Sequence, residues 1–241
     1  MENLSGKIIL VTGGARGLGE AIGRELSAAG AHVILADIRT DLANKIADEL
    51  NAQGGSVSTL QVDLTNDVQL KAAMEQIQAE YGRLDVLINS AGIDKTVSID
   101  TLELEDWDCV MAVNLRAPFI LSKYALAMMR EQGSGYIINI CSTASKRAWP
   151  NASVYHASKW GLLGFSQALL TEARPYNIKV TALLPGGMRT PFLLERFSDI
   201  DLNTLQDPKN VAETIHFLLT MPDESIIPEM LVLPMRETSW P

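Results

Sequence analysis

A tyrosine and a lysine four residues apart are the first residues in this sequence whose types and spacing suggest chemistry. Tyr155 and Lys159 lie in a segment with helical periodicity, so both side chains project from one face of the predicted helix. An ammonium group beside a phenol lowers the phenol pKa from its usual value of about 10, and lowering it to about 7–8 requires roughly 3–4 kcal/mol. We therefore expect a depressed pKa for Tyr155, in the range useful for proton transfer.

Two polar residues elsewhere in the chain suit the same chemistry. Ser142 directly follows a predicted strand, where its hydroxyl could hydrogen-bond a substrate oxygen shared with Tyr155. Asn114 lies in a long helical segment, where its amide or a local backbone distortion could hold a water molecule linking Lys159 to solvent. Taken singly, each of these residues also has a purely structural interpretation. Tyr155 could be a half-buried helix tyrosine, and Lys159 could be a lysine on a solvated helix face.

Apolar runs of strand length alternate with longer amphipathic segments, a pattern typical of a parallel sheet with helices on both faces. The sequence predicts an α/β fold, a doubly wound (Rossmann) seven-stranded parallel sheet. The predicted strands are Lys7–Thr12, His32–Asp37, Ser58–Asp63, Leu84–Asn89, Gly135–Cys141, Ile178–Leu184 and Glu229–Leu233. The predicted helices are Leu18–Ala29, Asp41–Gln53, Asp67–Tyr81, Leu104–Gln132, Val154–Ala173 and Val211–Thr220. The residues expected to end four of them are Gly30, Gly54, Gly82 and Gly133.

A glycine-rich turn links the first strand to the first helix. Its spacing, Gly13-x-x-x-Gly17-x-Gly19, differs from the Gly-x-Gly-x-x-Gly fingerprint, so the strand and helix around it have to carry the prediction. Glycines let backbone N–H groups approach a pyrophosphate, and a helix N-terminus favours its negative charge. The turn therefore predicts a dinucleotide-binding site.

The residue at the end of the second strand bears on which dinucleotide binds. Asp37 follows Gly19 by eighteen residues, where a carboxylate accepts hydrogen bonds from an adenosine ribose and repels a 2′-phosphate. This favours NAD over NADP. Arg16 and Arg39 could attract a phosphate instead, and Asp37 alone is equally well explained as a turn residue.

Further small and polar residues follow the third and fourth strands. Asp63 and the run Asn89-Ser90-Ala91-Gly92 are expected at the carboxyl edge of the sheet, where open α/β folds bind ligands. The segment Met188–Asp207 follows Pro185-Gly186-Gly187 and fits neither the helix nor the strand period. We expect a loop or a short helix over the site there.

Taken in order along nearly the whole chain, these motifs resemble the short-chain dehydrogenases/reductases in their compact single-domain form. The resemblance implies that Tyr155 is the general acid/base, that Lys159 lowers its pKa and holds the nicotinamide ribose, and that Ser142 orients the substrate carbonyl. It implies that Asn114 anchors a proton relay. The reaction implied is reversible hydride transfer between nicotinamide C4 and a carbonyl or secondary-alcohol carbon.

The resemblance also implies a set of cofactor contacts. In family order the glycines lie at the pyrophosphate, Asp37 at the adenosine ribose, Asp63 near the adenine, and Thr190 at the nicotinamide amide. The full predicted set is Gly13, Arg16, Gly17, Leu18, Gly19, Asp37, Asp63, Leu64, Asn89, Ala91, Gly92, Tyr155, Lys159, Pro185, Gly186 and Thr190. Departures from the family pattern are Ser90 in place of a second asparagine and a C-terminal stretch, Met230–Arg236, without the common Asp-Gly-Gly.

Two other functions stay open on the sequence. One branch of the family reduces β-ketoacyl groups on an acidic carrier protein, but Gly133 and Tyr176 stand where its carrier-binding arginines would align. A net charge of −9 adds repulsion, although Arg130 and Arg174 lie nearby. The second alternative is a dinucleotide-binding protein without catalysis. A small free carbonyl or secondary-alcohol substrate fits the sequence better than either.

The composition of the chain limits which other kinds of protein and binding partner are possible. The chain has 241 residues, 47% of them apolar, and we expect residues 1–241 to form a single domain. The acidic charge disfavours nucleic acid, strand-sized apolar runs predict no membrane span, and the three histidines and two cysteines are too scattered for a metal site. No secretory signal is recognisable, so we expect a cytoplasmic protein. The resemblance implies a homo-oligomer, a tetramer or a dimer, formed by packing the two long helical segments against a second copy.

Overall fold

A computed structural model describes residues 3–237 and confirms the predicted fold class. All seven strands join one parallel sheet in the order β3-β2-β1-β4-β5-β6-β7. The strands are β1 (Ile8–Thr12), β2 (His32–Asp37), β3 (Ser56–Gln61), β4 (Val86–Asn89), β5 (Gly135–Ile140), β6 (Ile178–Pro185) and β7 (Glu229–Val232). Asp63 therefore lies two residues beyond β3 and does not end it, contrary to the sequence prediction.

Eight α-helices connect and flank the strands. They are α1 (Gly17–Ala28), α2 (Thr40–Ala52), α3 (Asp67–Tyr81), α4 (Leu104–Met111), α5 (Ala117–Gln132), α6 (Ser153–Ala173), α7 (Pro191–Leu194) and α8 (Pro208–Leu219). The four glycines predicted to follow helices all have positive φ, and Gly82 and Gly133 cap α3 and α5 directly. No helix among these described residues is long and apolar enough to cross a membrane.

Alternation along the strands divides the core between the two faces of the sheet. In β1, Ile9 and Val11 pack on the side of α1, α2 and α8, whereas Leu10 packs on the side of α3, α5 and α6. Strands buried on both faces are apolar at nearly every position, which is why the sequence reads as short continuous apolar runs.

The strand order reverses beside β1, and this places the site. β2 and β3 lie on one side of β1, and β4 to β7 lie on the other. In an open α/β sheet the loops after the two central strands diverge at such a point and leave a crevice at the carboxyl edge. Here the diverging loops are the glycine turn after β1 and the Ser90–Gly92 run after β4.

One predicted helix is interrupted. The segment predicted as a single helix over Leu104–Gln132 consists of α4, a π-helical turn over Ala112–Arg116, and α5. A π turn inserts an extra residue per turn and is common at functional sites. Its five residues are centred on Asn114, one of the residues singled out from the sequence.

Candidate active site

A cavity of about 710 Å³ opens at the carboxyl edge of the sheet, at the point where the strand order reverses. It is lined by most of the residues that the sequence analysis selected, from both the cofactor set and the catalytic set. These are Gly13, Arg16, Gly17, Leu18, Gly19, Asp37, Asp63, Leu64, Ala91, Gly92, Ser142, Tyr155, Lys159, Pro185, Gly186 and Thr190.

The glycine turn has the geometry of a phosphate cradle. Gly13 and Gly17 have φ of +69° and +60°, a region that favours glycine. A Cβ on Gly19 would lie 2.1 Å from the carbonyl oxygen of Gly13, and one on Gly13 would lie 2.8 Å from Ala91 Cα. The turn leads directly into α1, which begins at Gly17 and directs its free N–H groups toward the cavity edge. These residues fit the pyrophosphate of a dinucleotide.

Asp37 lies beside this turn with its carboxylate already oriented. Its Oδ2 accepts a hydrogen bond from the Ala15 N–H at 3.0 Å, and its Oδ1 accepts one from the Arg39 N–H at 2.9 Å. The side chain is buried. Arg16, the other basic group near the turn, forms a two-pronged ion pair with Glu195, with Nη1 2.7 Å and 2.9 Å from the two carboxylate oxygens.

Asn89 does not line the cavity, which corrects the sequence prediction. Its side-chain amide donates to Asn139 Oδ1 at 2.8 Å and approaches Ser122 Oγ at 3.4 Å. Side chains alternate between the two faces of a sheet, and the side chain of this last β4 residue lies on the face covered by α5. It is the following residues, Ser90 and Ala91, that reach the cavity, and their N–H groups both donate to Thr12 Oγ1.

The tyrosine of the predicted catalytic pair is buried at the cavity wall. Burial raises the pKa of Tyr155 to about 12, and the Ser142 hydroxyl acts in the opposite direction as a hydrogen-bond partner. In the protein alone the loss of hydration thus outweighs the favourable contacts, and a depressed Tyr155 pKa stays a prediction for the protein with an oxidised nicotinamide bound. Ser142 itself is oriented by the Ala144 N–H, which donates to its Oγ at 3.1 Å.

Lys159 is buried one helical turn beyond the tyrosine. Its Nζ donates to the Ile140 carbonyl at 2.8 Å and lies 5.8 Å from the centre of the Tyr155 ring. Burial lowers the pKa of Lys159 to about 8. The ammonium group is therefore near the tyrosine, as predicted. The same burial that raises the Tyr155 pKa also disfavours the charged form of Lys159.

The lowered pKa of Lys159 predicts a pH-dependent effect on stability. Between about pH 8 and 10.5 the unfolded chain binds more protons at this position than the folded one, so the free energy of unfolding rises with pH in that window. Lys159→Met removes this titration. We expect the stability of Lys159→Met relative to wild type to fall by about 2–3 kcal/mol between pH 7 and pH 10, measured by urea unfolding.

An exposed lysine provides the control for this experiment. Lys71 lies on the surface of α3, with about half of its side chain exposed, so Lys71→Met should differ from wild type by the same amount at both pH values. A pH-independent difference for Lys159→Met as well would show that Lys159 keeps an ordinary pKa in the folded protein.

The π turn holds the Asn114 side chain between the β4 loop and α6. Its Oδ1 accepts from the Ile93 N–H at 2.9 Å, while its Nδ2 donates to the Ile93 carbonyl at 2.8 Å and to Ser158 Oγ at 3.0 Å. A Cβ on Gly92 would lie 3.6 Å from Lys159 Nζ and 3.7 Å from Asn114 Oδ1. Asn114 thus borders the space beside Lys159 without lining the main cavity.

Several cavity residues were missed by the sequence analysis. Asp94 and Arg196 form an ion pair across the cavity, between the loop after β4 and the end of α7. His156 lies behind the cavity wall and holds the loop that carries Trp149: its Nδ1 contacts the Ala144 carbonyl at 3.0 Å, and its Nε2 accepts from the Trp149 N–H at 3.1 Å. Charged and aromatic residues at these positions carry no spacing signal, because their partners are distant in sequence.

The residue directly after the C-terminal stretch Met230–Arg236 lines the cavity. Glu237 accepts a hydrogen bond from the Gly187 N–H at 3.3 Å, next to the Pro185-Gly186 turn. Over Met188–Asp207 the structure has α7, a 3-10 turn over Leu202–Thr204 and connecting loops, in agreement with the prediction of a loop or short helix over the site. In the described part of the chain, no three His, Cys, Asp or Glu side chains are arranged to hold a metal ion.

Comparisons with known proteins agree with this architecture. The family model for the short chain dehydrogenases matches residues 7–201. The chain is 34% identical to the 3-oxoacyl-[acyl-carrier-protein] reductase of Thermotoga maritima over 230 residues, covering 92% of this chain and 93% of that protein. It is 34% identical to the cyclopentanol dehydrogenase of a Comamonas species over 191 residues, covering 79% and 76%.

A solved structure agrees equally well. A metagenomic short-chain oxidoreductase in complex with NADP superposes with a TM-score of 0.86 at 32% identity, covering 96% of this chain and 98% of that one. Sequence and structure comparisons thus identify the same family as the motifs do. The chain belongs to the short-chain dehydrogenase/reductase family of NAD(P)-dependent oxidoreductases.

Proposed function

We propose that this protein catalyses reversible hydride transfer between a nicotinamide dinucleotide, preferably NAD, and a small substrate that carries a carbonyl or secondary-alcohol group. The observation that carries this proposal is the position of Tyr155, which is buried beside Ser142 and Lys159 in the wall of the same cavity that the glycine turn borders. A binding protein has no physical need for that combination.

Some side chains around the cavity bind the dinucleotide, and others transfer the proton. A bound nicotinamide dinucleotide supplies the hydride acceptor or donor. The glycine turn binds the pyrophosphate, and Asp37 accepts hydrogen bonds from the adenosine ribose. Lys159 holds the nicotinamide ribose, and Thr190 lies where it can reach the nicotinamide amide. Leu18, Leu64, Ala91 and Gly92 form the cavity walls around the dinucleotide.

Proton transfer falls to Tyr155. In carbonyl reduction its hydroxyl donates a proton to the substrate oxygen, and Ser142 donates a second hydrogen bond to the same oxygen. A pKa of about 12 suits this direction, because Tyr155 stays protonated at neutral pH. In alcohol oxidation Tyr155 first gives up its own proton toward solvent by way of Lys159 and a water molecule held by Asn114. The resulting phenolate then takes the proton of the substrate hydroxyl as the hydride leaves.

The substrate half of the cavity favours a free small molecule. Its walls include Trp149, Phe192 and Phe197, so much of the surface offered to the substrate is apolar. The carrier-protein alternative has one supporting observation, the resemblance to the Thermotoga maritima reductase. One contact argues against it. Arg130, which could bind an acidic carrier, is already engaged with Tyr176, because its guanidinium lies 4.3 Å from the centre of that ring.

Absorbance at 340 nm tests the proposed function. Purified protein is offered NAD or NADP with secondary alcohols, and NADH or NADPH with ketones and with a β-ketoacyl thioester. Turnover of free alcohols and ketones supports the proposal. Turnover of the thioester alone would favour the carrier-linked reaction, and no turnover despite NADH binding, seen by fluorescence, would favour a non-catalytic protein.

The preference for NAD rests on charges around the adenosine end of the cavity. Asp37 repels a 2′-phosphate, and both basic residues that could attract one are paired: Arg16 with Glu195, and Arg39 through its Nε with Asp37 Oδ1 at 3.3 Å. We expect Glu195→Gln to free Arg16 and raise kcat/KM for NADP relative to NAD by about two- to fivefold, the range of an exposed ion pair. The measurement is steady-state kinetics with each cofactor.

A second two-pronged pair provides the control. Arg24 binds Glu49 at 2.7 Å and 2.8 Å on the outer surface, away from the cavity, so Glu49→Gln should leave the cofactor ratio unchanged. If Glu195→Gln also leaves it unchanged, Arg16 has no part in cofactor choice.

We also propose that the chain forms a homotetramer through its long helices. Large apolar side chains are exposed on α4, α5 and α6, namely Leu104, Phe119 and Trp160. Burying them against a second copy removes apolar surface from water. Light scattering after size exclusion should give a tetramer at micromolar concentration, and a monomer would contradict the proposal. A cytoplasmic location stays a prediction.

A further inference from the structure

A charged pair stands in the otherwise apolar substrate half of the cavity. The centre of the Phe192 ring lies 5.8 Å from the centre of the Tyr155 ring. The Arg196 guanidinium stacks on the same Phe192 ring, 4.0 Å from its centre. Arg196 in turn pairs with Asp94, two residues beyond Gly92. The charges of both residues act on the proton affinity of Tyr155. The pair therefore lies close to the reacting groups.

The Asp94 carboxylate has one oxygen satisfied and one oxygen unsatisfied. Its Oδ2 accepts from Arg196 Nη1 and from Thr96 Oγ1 at 3.2 Å. Its Oδ1 is buried and has no hydrogen-bond partner among residues 3–237, and only 6% of the side chain is exposed. A buried acceptor without a donor is unfavourable by about 1–3 kcal/mol or more. Asp94 lines the substrate cavity, so a ligand hydroxyl that displaces the side chains covering Oδ1 can donate a hydrogen bond to it.

Arg196 holds Asp94 in place and neutralises it. The guanidinium donates from Nε to the Phe192 carbonyl at 2.7 Å, bonds Asp94 through Nη1, and also lies 5.5 Å from the Phe197 ring. A guanidinium held by three partners is rigid, so the Oδ1 position is fixed before a ligand arrives. Because the two charges cancel, an anionic substrate gains little here, whereas a neutral hydroxyl can donate to Oδ1.

We propose that Asp94, held by Arg196, binds a second hydroxyl group of the substrate, so that the preferred substrates are hydroxy ketones and the corresponding vicinal diols. This inference rests on the proposed hydride-transfer function and specifies its substrate class. Asp94 is then a specificity-determining residue. A site built to bond a hydroxyl discriminates strongly against the analogue that lacks it, because the buried oxygen is left unpaired.

The test compares a vicinal diol with the matching simple alcohol. Wild type is assayed with NAD and either trans-1,2-cyclohexanediol or cyclohexanol, and the ratio of the two kcat/KM values is the readout. We expect wild type to favour the diol at least about tenfold, the effect of one hydrogen bond to a charged group. Asp94→Ala should reduce that ratio about tenfold. Asp94→Asn keeps an acceptor oxygen but loses the charge, so it should reduce the ratio less than Asp94→Ala does.

Controls separate specificity from damage to the fold. Asp106 pairs with Lys95 at 2.9 Å outside the cavity lining, so Asp106→Asn should keep the wild-type ratio. A wild-type enzyme that turns over both alcohols equally, or an Asp94→Ala enzyme that keeps the diol preference, overturns this inference and leaves the proposed function standing. If neither alcohol nor any ketone turns over while NADH binds, the proposed function fails and this inference fails with it.

Discussion

Replacing Tyr155 by phenylalanine is expected to lower kcat by about 10²–10⁴-fold, the usual contribution of a general acid/base. The variant keeps the ring that packs against Phe192 and loses only the hydroxyl that we propose exchanges a proton with the substrate. We therefore expect NADH affinity to stay within about threefold of wild type, a change below 1 kcal/mol. The 340 nm assay gives kcat, and NADH fluorescence gives the dissociation constant.

A second buried tyrosine provides the matched control. Tyr136, in β5, bonds Thr181 Oγ1 at 2.7 Å and lies outside the cavity lining, and burial raises its pKa as well. Tyr136→Phe should reduce stability by about 1 kcal/mol and leave kcat unchanged. Turnover by Tyr155→Phe within tenfold of wild type would mean that another group moves the proton.

Gly19→Ala is expected to weaken dinucleotide binding by at least about tenfold. The added Cβ would lie 2.1 Å from the Gly13 carbonyl oxygen and 2.7 Å from its carbonyl carbon, both backbone atoms of the turn that we propose binds the pyrophosphate. The turn must open to admit the methyl group, and overpacking of this kind typically costs about 1–3 kcal/mol. The increase in melting temperature on adding NAD, which follows from binding, should shrink accordingly.

A helical glycine with free space around it serves for comparison. Nothing lies within 4 Å of a Cβ built on Gly164 in α6, so Gly164→Ala should stabilise the protein by about 0.5–1 kcal/mol without altering NAD binding. The two substitutions add the same methyl group, but only the one at Gly19 should weaken NAD binding. Equal NAD affinity in Gly19→Ala and wild type would show that the turn does not contact the dinucleotide.

Hydrophobic periodicity and glycine placement predict much of the fold. Short apolar runs mark strands buried on both faces, and Gly82 and Gly133 mark helix ends because both take the left-handed conformation. The same local signals locate the cofactor turn and Asp37, because each lies at the end of a strand and faces one edge of the sheet. The local sequence is therefore sufficient to predict a site residue wherever that residue's place at the end of a strand alone brings it to the site.

Features that depend on packing between distant segments were not predicted. Asn89 has the sequence context of a cleft residue, but its bond to Asn139 on the neighbouring strand turns it into the sheet. The pKa of Tyr155 follows from how deeply α6 is buried, which a four-residue spacing with Lys159 does not express. The pairing of Asp94 with Arg196 spans about a hundred residues, and a sequence offers no sign of such a contact.

Isotope transfer tests the central claim most directly. The protein is incubated with NADH carrying deuterium at nicotinamide C4, prepared with either face labelled, and with a ketone or hydroxy ketone that the wild type reduces, and the alcohol is analysed by mass spectrometry. The account predicts deuterium on the carbinol carbon from one face of the nicotinamide only, and none in the Tyr155→Phe sample over the same period. Alcohol formed without deuterium from either labelled face would contradict direct hydride transfer.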